Sequence, residues 1–276
     1  MTITTTDPQL LTELRAKQQK MWSSGDYNKI AAITTAVNET MVAEAAVTPD
    51  ERVLDVATGT GHAALAAARV GADVVGIDYV PALLDIARRR AAAEEVPVEF
   101  LEAPAEELPF ADASFDVIVS ALGVMFAADH DRAARELVRV TRSGGRIVLA
   151  SWTKSGFVGG ILGTVGRHVP PPPGAQSPVR WGEEDIVADL LGDDVENVHS
   201  SLHVVTQRFT DADAFADLFL TYYGPTFTAW SKLDDAGKAA IRADLVAHAN
   251  SFARPESTGT GLVTDWEYRV VHATRR

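Results

Sequence analysis

The chain contains no cysteine among its 276 residues. That removes a thiol nucleophile, a disulfide framework and any cysteine-held zinc or iron–sulfur group. Positive charge is also scarce, with 25 Lys and Arg against 38 Asp and Glu and a net charge of −13. Gripping a phosphate backbone needs the opposite balance, so no nucleic-acid partner is expected. The longest membrane-like run, Phe157 to Gly166, is interrupted by glycine and falls short of the roughly twenty apolar residues a bilayer demands. The opening MTITTTDPQL lacks the basic-then-apolar order of a secretory leader. These absences predict a cytoplasmic protein with no membrane partner. The seven histidines are scattered and no metal-ligand spacing appears, so no metal is expected. With 46% apolar residues the chain can bury a substantial core, as one large domain or a domain with a lid.

The informative stretch is VLDVATGTGHAALAAARVGADVVGIDYV, beginning at Val53. The run Val53 to Ala57 predicts a buried strand of a parallel sheet. Thr58-Gly59-Thr60-Gly61 then supplies a tight turn on which a ligand can approach the backbone. His62 to Arg69 predicts a helix whose free N–H groups begin at that turn. A second strand, Asp73 to Ile77, ends in Asp78, nineteen residues after Gly59 (78 − 59). That is about the spacing at which nucleotide folds place a carboxylate on ribose hydroxyls. Gly59 to Ala64 also fits the dinucleotide fingerprint, which keeps a nicotinamide enzyme in view. Asp55 argues against it, because a carboxylate at the turn repels a pyrophosphate and favours an ammonium or sulfonium group. A plainer role for Asp55, capping the helix of a generic α/β unit, is the alternative.

Downstream, strands at 98–101, 115–120 and 145–151 alternate with helices at 81–93 and 131–140, the pattern of a parallel sheet covered on both faces. Ligands of such sheets sit at the carboxyl ends of the strands. Residues 9–22 and Tyr27 to Ala46 predict leading helices. Residues 153–180, rich in glycine and carrying Pro170 to Pro173, predict a linker or lid hinge. Beyond it come a helix at 183–191, a strand from Val195 to Phe209, helices at 212–222 and 236–251, and a last strand at 261–273.

The DVATGTG turn with Asp78, then Leu108-Pro109-Phe110, Phe115-Asp116-Val117-Ile118 and RVTRSGGRIVLASW, resembles class I S-adenosylmethionine-dependent methyltransferases. Within them it is most similar to the ubiquinone/menaquinone-biosynthesis type and its small-molecule relatives. The likeness covers residues 53–152 well and the remainder loosely. It implies an α/β, Rossmann-like, mostly parallel seven-stranded sheet with helices on both faces and a helical lid inserted near the C-terminus. The implied division is an N-terminal helical cap (1–50), a cofactor-binding core (51–152), and a substrate lid with the last two strands, an antiparallel pair (153–276).

The resemblance also assigns candidate sites. S-adenosylmethionine is the implied cofactor, with Asp55, Ala57, Thr58, Gly59, Gly61, Asp78, Tyr79, Ala105, Glu106 and Ser120 as its candidate contacts. Family members often carry Asp-Ala before the LPF element, the Asp accepting from the adenine amine; this chain has Pro104-Ala105 there. Pro104 has no acceptor, so Glu106 is the expected substitute. Met125 and Phe126 would border the acceptor, as would Trp22 and Tyr27 unless they only pack on the core. Aromatics make up only 7% of the chain, which gives weight to Tyr222, Tyr223, Phe227 and Trp230 in the lid and predicts a flat aromatic acceptor. His130, at a predicted helix start, is the candidate general base, with a structural role as its alternative. The predicted activity is methyl transfer from S-adenosylmethionine to a small aromatic or heteroaromatic metabolite, with a homodimer as a compatible assembly. The competing function is a protein that binds the cofactor without methylating.

Overall fold

The computed structural model describes residues 8–254 and 261–276. The leaderless reading of the first seven residues therefore lies outside the described residues. Seven strands form one sheet in the order β3-β2-β1-β4-β5-β7-β6. They are β1 (Arg52–Val56), β2 (Asp73–Asp78), β3 (Glu99–Glu102), β4 (Phe115–Ala121), β5 (Thr141–Trp152), β6 (Val195–Phe209) and β7 (Leu262–Arg275). The first five pair in parallel. β7 runs antiparallel between β5 and β6. The sheet is Rossmann-like, as the resemblance implied.

Covering both faces explains why the inner strands are continuously apolar. Val53, Leu54 and Val56 of β1 and Val117, Ile118 and Val119 of β4 have no exposed surface. Helix α4 (His62–Val70) buries every residue from Ala63 to Ala68, and small alanine side chains let it lie close to the sheet. Helix α5 (Pro81–Glu94) starts on a proline, whose missing N–H is harmless in a first turn. Helix α6 (His130–Val140) is capped by Asp129, whose carboxylate accepts from the Arg132 amide at 3.0 Å.

Ahead of the sheet come α1 (Pro8–Trp22), α2 (Tyr27–Ile33) and α3 (Thr35–Glu44). Thr34 separates the last two, where a single helix was predicted; its hydroxyl donates back to the Ala31 carbonyl at 3.2 Å. Between β6 and β7 the chain inserts α9 (Ala212–Tyr222), α10 (Gly224–Ser231) and α11 (Asp235–Ser251).

The glycine-rich stretch after β5 is not the predicted linker. Phe157–His168 is a helix, α7, preceding α8 (Glu184–Leu191). Two of its glycines, Gly159 and Gly160, serve packing. A Cβ on Gly160 would strike the His248 ring of α11, which lies 5.0 Å from the Phe157 ring and donates to the Phe157 carbonyl at 2.8 Å. Two further glycines join the N-terminal helices to the insertion. A Cβ on Gly25 would lie 2.6 Å from the Tyr222 carbonyl oxygen, and one on Gly224 would lie 2.5 Å from that of Met21. The turn after α1 thus sits directly on the α9–α10 junction. Among the described residues no helix is long and apolar enough to cross a membrane.

Candidate functional site

At the carboxyl end of β1 the chain turns sharply. Ala57 and Gly59 hold left-handed φ values of 54° and 55°. The Thr58 amide donates to the Ile77 carbonyl at 2.8 Å, which fixes the turn against β2. Asp55 organises this turn from below: Oδ2 accepts from the Thr58 hydroxyl at 2.5 Å and from the Ala64 amide at 2.9 Å. It therefore satisfies one of the open donors in the first turn of α4. Burial pushes its carboxyl up to about 7, against the lowering effect of those two hydrogen bonds.

Asp78 closes β2 in a related way. Its Oδ2 accepts from the Gly59 amide and Oδ1 from the Val80 amide, both at 2.9 Å. Burial raises this carboxyl to about 6. Beyond β3, Glu106 takes the Ala128 and Asp129 amides on Oε1, at 2.6 and 3.2 Å, and faces Arg15 Nε across 3.3 Å with Oε2.

These strand ends floor a cleft roofed by the N-terminal helices. Arg15, Gln18 and Trp22 of α1 reach its wall, together with Tyr27, Thr34 and Asn38. Thr60 and His62 line it beside the glycine turn. Burial and the neighbouring Arg90 guanidinium, 2.6 Å from His62 Nε2, lower the His62 imidazole to about 4 and keep it neutral.

A smaller cavity adjoins the cleft, sharing Tyr27, Thr34, Leu122 and Phe126 with it. Its far wall comes from Trp152, Val158, Phe219, Tyr223 and Trp266. No charged side chain lines it among the described residues. Trp22 packs edge-on against three rings at this junction: Phe126 at 4.8 Å, Tyr27 at 5.3 Å and Tyr223 at 5.7 Å. Burial first, and then Asp78, push the Tyr27 phenol up to about 12. The Tyr223 phenol is raised by burial and by its closeness to Tyr27.

The structure brings Ala57, Thr58, Gly59, Asp78, Tyr79, Ala105, Glu106, Trp22, Tyr27 and Phe126 to the cleft, and Tyr223 to the smaller cavity. Other expected contacts fall elsewhere. Asp55 is spent on the turn and is absent from the wall, so the plainer capping role describes it. Gly61 packs beneath the turn, where a Cβ would lie 2.9 Å from that of Ala87. Ser120 is an internal staple, donating to the Val56 carbonyl at 2.7 Å and accepting from the Val124 amide at 2.9 Å. Met125 is wholly buried behind the wall.

His130 is not placed as a base. It is fully buried with its ring 5.7 Å from that of Trp181, it lines neither cavity, and burial lowers it to about 4. Tyr222, Phe227 and Trp230 reach neither cavity. Trp230 instead carries the Lys238 ammonium 4.8 Å over its ring. The residues missed from sequence include Arg15 and Gln18; their spacing with Trp22, at i, i+3 and i+7, marks one helix face and was the available signal.

Comparison with known proteins bears on this geometry. A family described as "Methyltransferase domain" matches residues 54–149. An uncharacterised protein of Mycobacterium tuberculosis is 40% identical over 272 residues, covering 95% of this chain and 96% of its own length. The demethylmenaquinone methyltransferase of Deinococcus radiodurans is 40% identical over 137 residues, 48% of this chain and 57% of that protein. The chain is a class I S-adenosylmethionine-dependent methyltransferase. The fold of the methyltransferase also matches the YcgJ protein of Bacillus subtilis with a TM-score of 0.58 at 19% identity, over 87% of this chain and 98% of that one.

The cleft of the methyltransferase suits a ligand of that kind. Three side chains on its wall carry buried atoms without a hydrogen-bond partner among the described residues: Thr60 Oγ1, Tyr79 Oη and Arg15 Nη2. Left so, each such atom costs about 1–3 kcal/mol, and a polar ligand satisfies them. They lie at the ends of β1, β2 and β3 respectively, counting Arg15 with its partner Glu106, so they mark out a ligand laid across the strand order.

Proposed function

We propose that this enzyme transfers a methyl group from S-adenosylmethionine to a small, uncharged aromatic or heteroaromatic molecule. The carrying observation is the uncharged aromatic cavity that adjoins the strand-end cleft at Tyr27 and Phe126. In this reading the glycine turn, Thr60 and His62 hold the methionine arm. Asp78 takes the ribose hydroxyls, and the Ala103–Glu106 loop borders the base. The carboxyl end of β4 faces the reacting centre.

The cofactor supplies a methyl group already activated by its sulfonium. What remains for the protein is positioning and the exclusion of water. The ring cluster of Trp22, Tyr27, Phe126 and Tyr223 does both. Among the described residues no histidine, carboxylate or lysine lines the smaller cavity, and its tyrosines are held protonated at neutral pH. They orient an acceptor by hydrogen bonding and do not deprotonate it. The acidity of the chain supports a small-molecule acceptor over a nucleic acid.

Incubation with isotope-labelled S-adenosylmethionine and a panel of phenols, quinols and indoles is expected to yield labelled product. Retained cofactor with no product across the panel would favour the non-methylating binding role instead.

A further inference from the structure

The base end of the cleft lacks what adenine recognition usually draws on. Pro104 offers no side-chain acceptor, and Glu106 is already engaged through both oxygens, with two backbone amides and with Arg15. What this end has instead is donors. The Arg15 guanidinium lies 3.3 Å from Glu106 through Nε, too poorly aligned for a hydrogen bond, and both Nε and Nη2 are buried without a hydrogen-bond partner among the described residues. The Tyr79 hydroxyl, on the same wall, is buried and unpartnered as well.

The backbone that carries Arg15 is fixed. Leu11 and Leu14 of α1 pack with Ala128 in a small apolar cluster of their own. One turn further on, the Gln19 side-chain amide donates to the Tyr79 carbonyl. The guanidinium therefore lies in the cleft wall between Glu106 and Glu107, whose carboxylate is 3.7 Å from Nη1, with Nε and Nη2 left as unused donors.

We propose that Arg15 is a cofactor-recognition residue whose guanidinium donates to the ring nitrogens of the bound purine. The inference rests on reading the cleft as the S-adenosylmethionine site. Its direction follows from the strand order: with Asp78 of β2 on the ribose, the next position outward, at the end of β3, belongs to the base. A purine presents acceptor nitrogens around its ring, and a planar guanidinium both donates in-plane and stacks on such a ring. Helix α1 then forms part of the binding site and is more than a cover over it. Tyr79 Oη is the second donor at this end.

The test is titration calorimetry of S-adenosylhomocysteine and of 5′-methylthioadenosine, which keeps the purine and lacks the amino-acid arm. Wild type binding neither ligand would overturn the cofactor reading itself. Given wild-type binding, Arg15→Ala is expected to weaken both ligands by the same factor, about ten- to a hundredfold. Arg15→Lys keeps the charge opposite Glu106 with a different donor geometry, so it should recover only part of the loss. Unchanged affinity in Arg15→Ala overturns the inference. Weakening confined to S-adenosylhomocysteine also overturns it, because the guanidinium would then serve the methionine arm. Full recovery in Arg15→Lys reduces Arg15 to a strut for Glu106 and overturns it too. Should Arg15→Ala fail to fold, the lysine variant decides alone: wild-type affinity refutes base recognition, and a loss shared by both ligands supports it.

Discussion

The Asp78 carboxylate accepts the amide hydrogen of Gly59 at 2.9 Å, tying the ends of two neighbouring strands together at the floor of the cleft. One side chain therefore shapes the turn and lines the cleft. Asp78→Asn replaces one acceptor oxygen with a donor opposite a backbone N–H. We expect it to cost about 1.5–3 kcal/mol of S-adenosylhomocysteine affinity by calorimetry. Nicotinamide dinucleotides should show no binding to the wild-type protein.

Asp55 gives a pH signature. Its folded carboxyl is raised to about 7, whereas in the unfolded chain it titrates near the ordinary value of about 4. The folded state therefore holds the proton more tightly. Stability from this group is fully present below pH ~4 and is lost as pH rises to about 7. Asp55→Asn keeps an acceptor for Thr58 and Ala64 but cannot ionise. The melting temperature of wild type relative to this variant should fall between pH 4 and pH 8. A constant difference across that range would show that Asp55 is ionised throughout.

His130 is expected to matter for packing. His130→Phe keeps an aromatic ring against Trp181, so turnover should stay within roughly threefold and stability should fall less than in His130→Ala. His130→Ala should lose about 1–3 kcal/mol through the space it leaves. A fall in turnover of about 10²–10⁴ with intact cofactor binding would restore the general-base role.

Tyr223 and Trp230, paired as acceptor contacts by the sequence, are expected to separate. Tyr223→Ala should raise KM for the acceptor while leaving cofactor affinity nearly unchanged. Trp230→Ala should leave KM alone and cost about 0.5–1 kcal/mol of stability through its lost contact with Lys238. Steady-state kinetics with thermal melts of both variants distinguish these outcomes, and equal KM effects would contradict the placement of the acceptor cavity.

The parallel half of the sheet was legible because its strands are apolar runs broken by glycine and acid, a pattern dictated by burial on both faces. The cleft followed from that pattern through Gly59 and Asp78. What could not be read was depth. Tyr222, Tyr223, Phe227 and Trp230 look alike in sequence, yet of the four only Tyr223, at the junction where α9 ends and α10 begins, reaches the cavity. The glycines from Gly156 to Gly166 carry the same ambiguity. They suit a loose connection and a tightly seated helix equally; at Gly160 the partner ring of His248 tells which, whereas Gly163 and Gly166 face open space. Asp55 was attributed to the ligand because its hydrogen bonds to Thr58 and Ala64 depend on a turn geometry that the sequence does not display.

The glycine contacts between the turn after α1 and the α9–α10 junction bear on the order of binding. Gly25 lies against Tyr222 and Gly224 against Met21, with no room for a side chain at either. One strap thus borders the base end of the cleft through Arg15 and braces Tyr223 at the opposite end. Any movement of α1 that admits the cofactor must shift the wall of the smaller cavity as well. We therefore expect the cofactor and the acceptor to act as effectors of one another, with the same factor in both directions by thermodynamic reciprocity. S-adenosylhomocysteine should tighten acceptor binding by the ratio in which the acceptor tightens S-adenosylhomocysteine, and a bulkier residue at Gly224 should bring that ratio towards one.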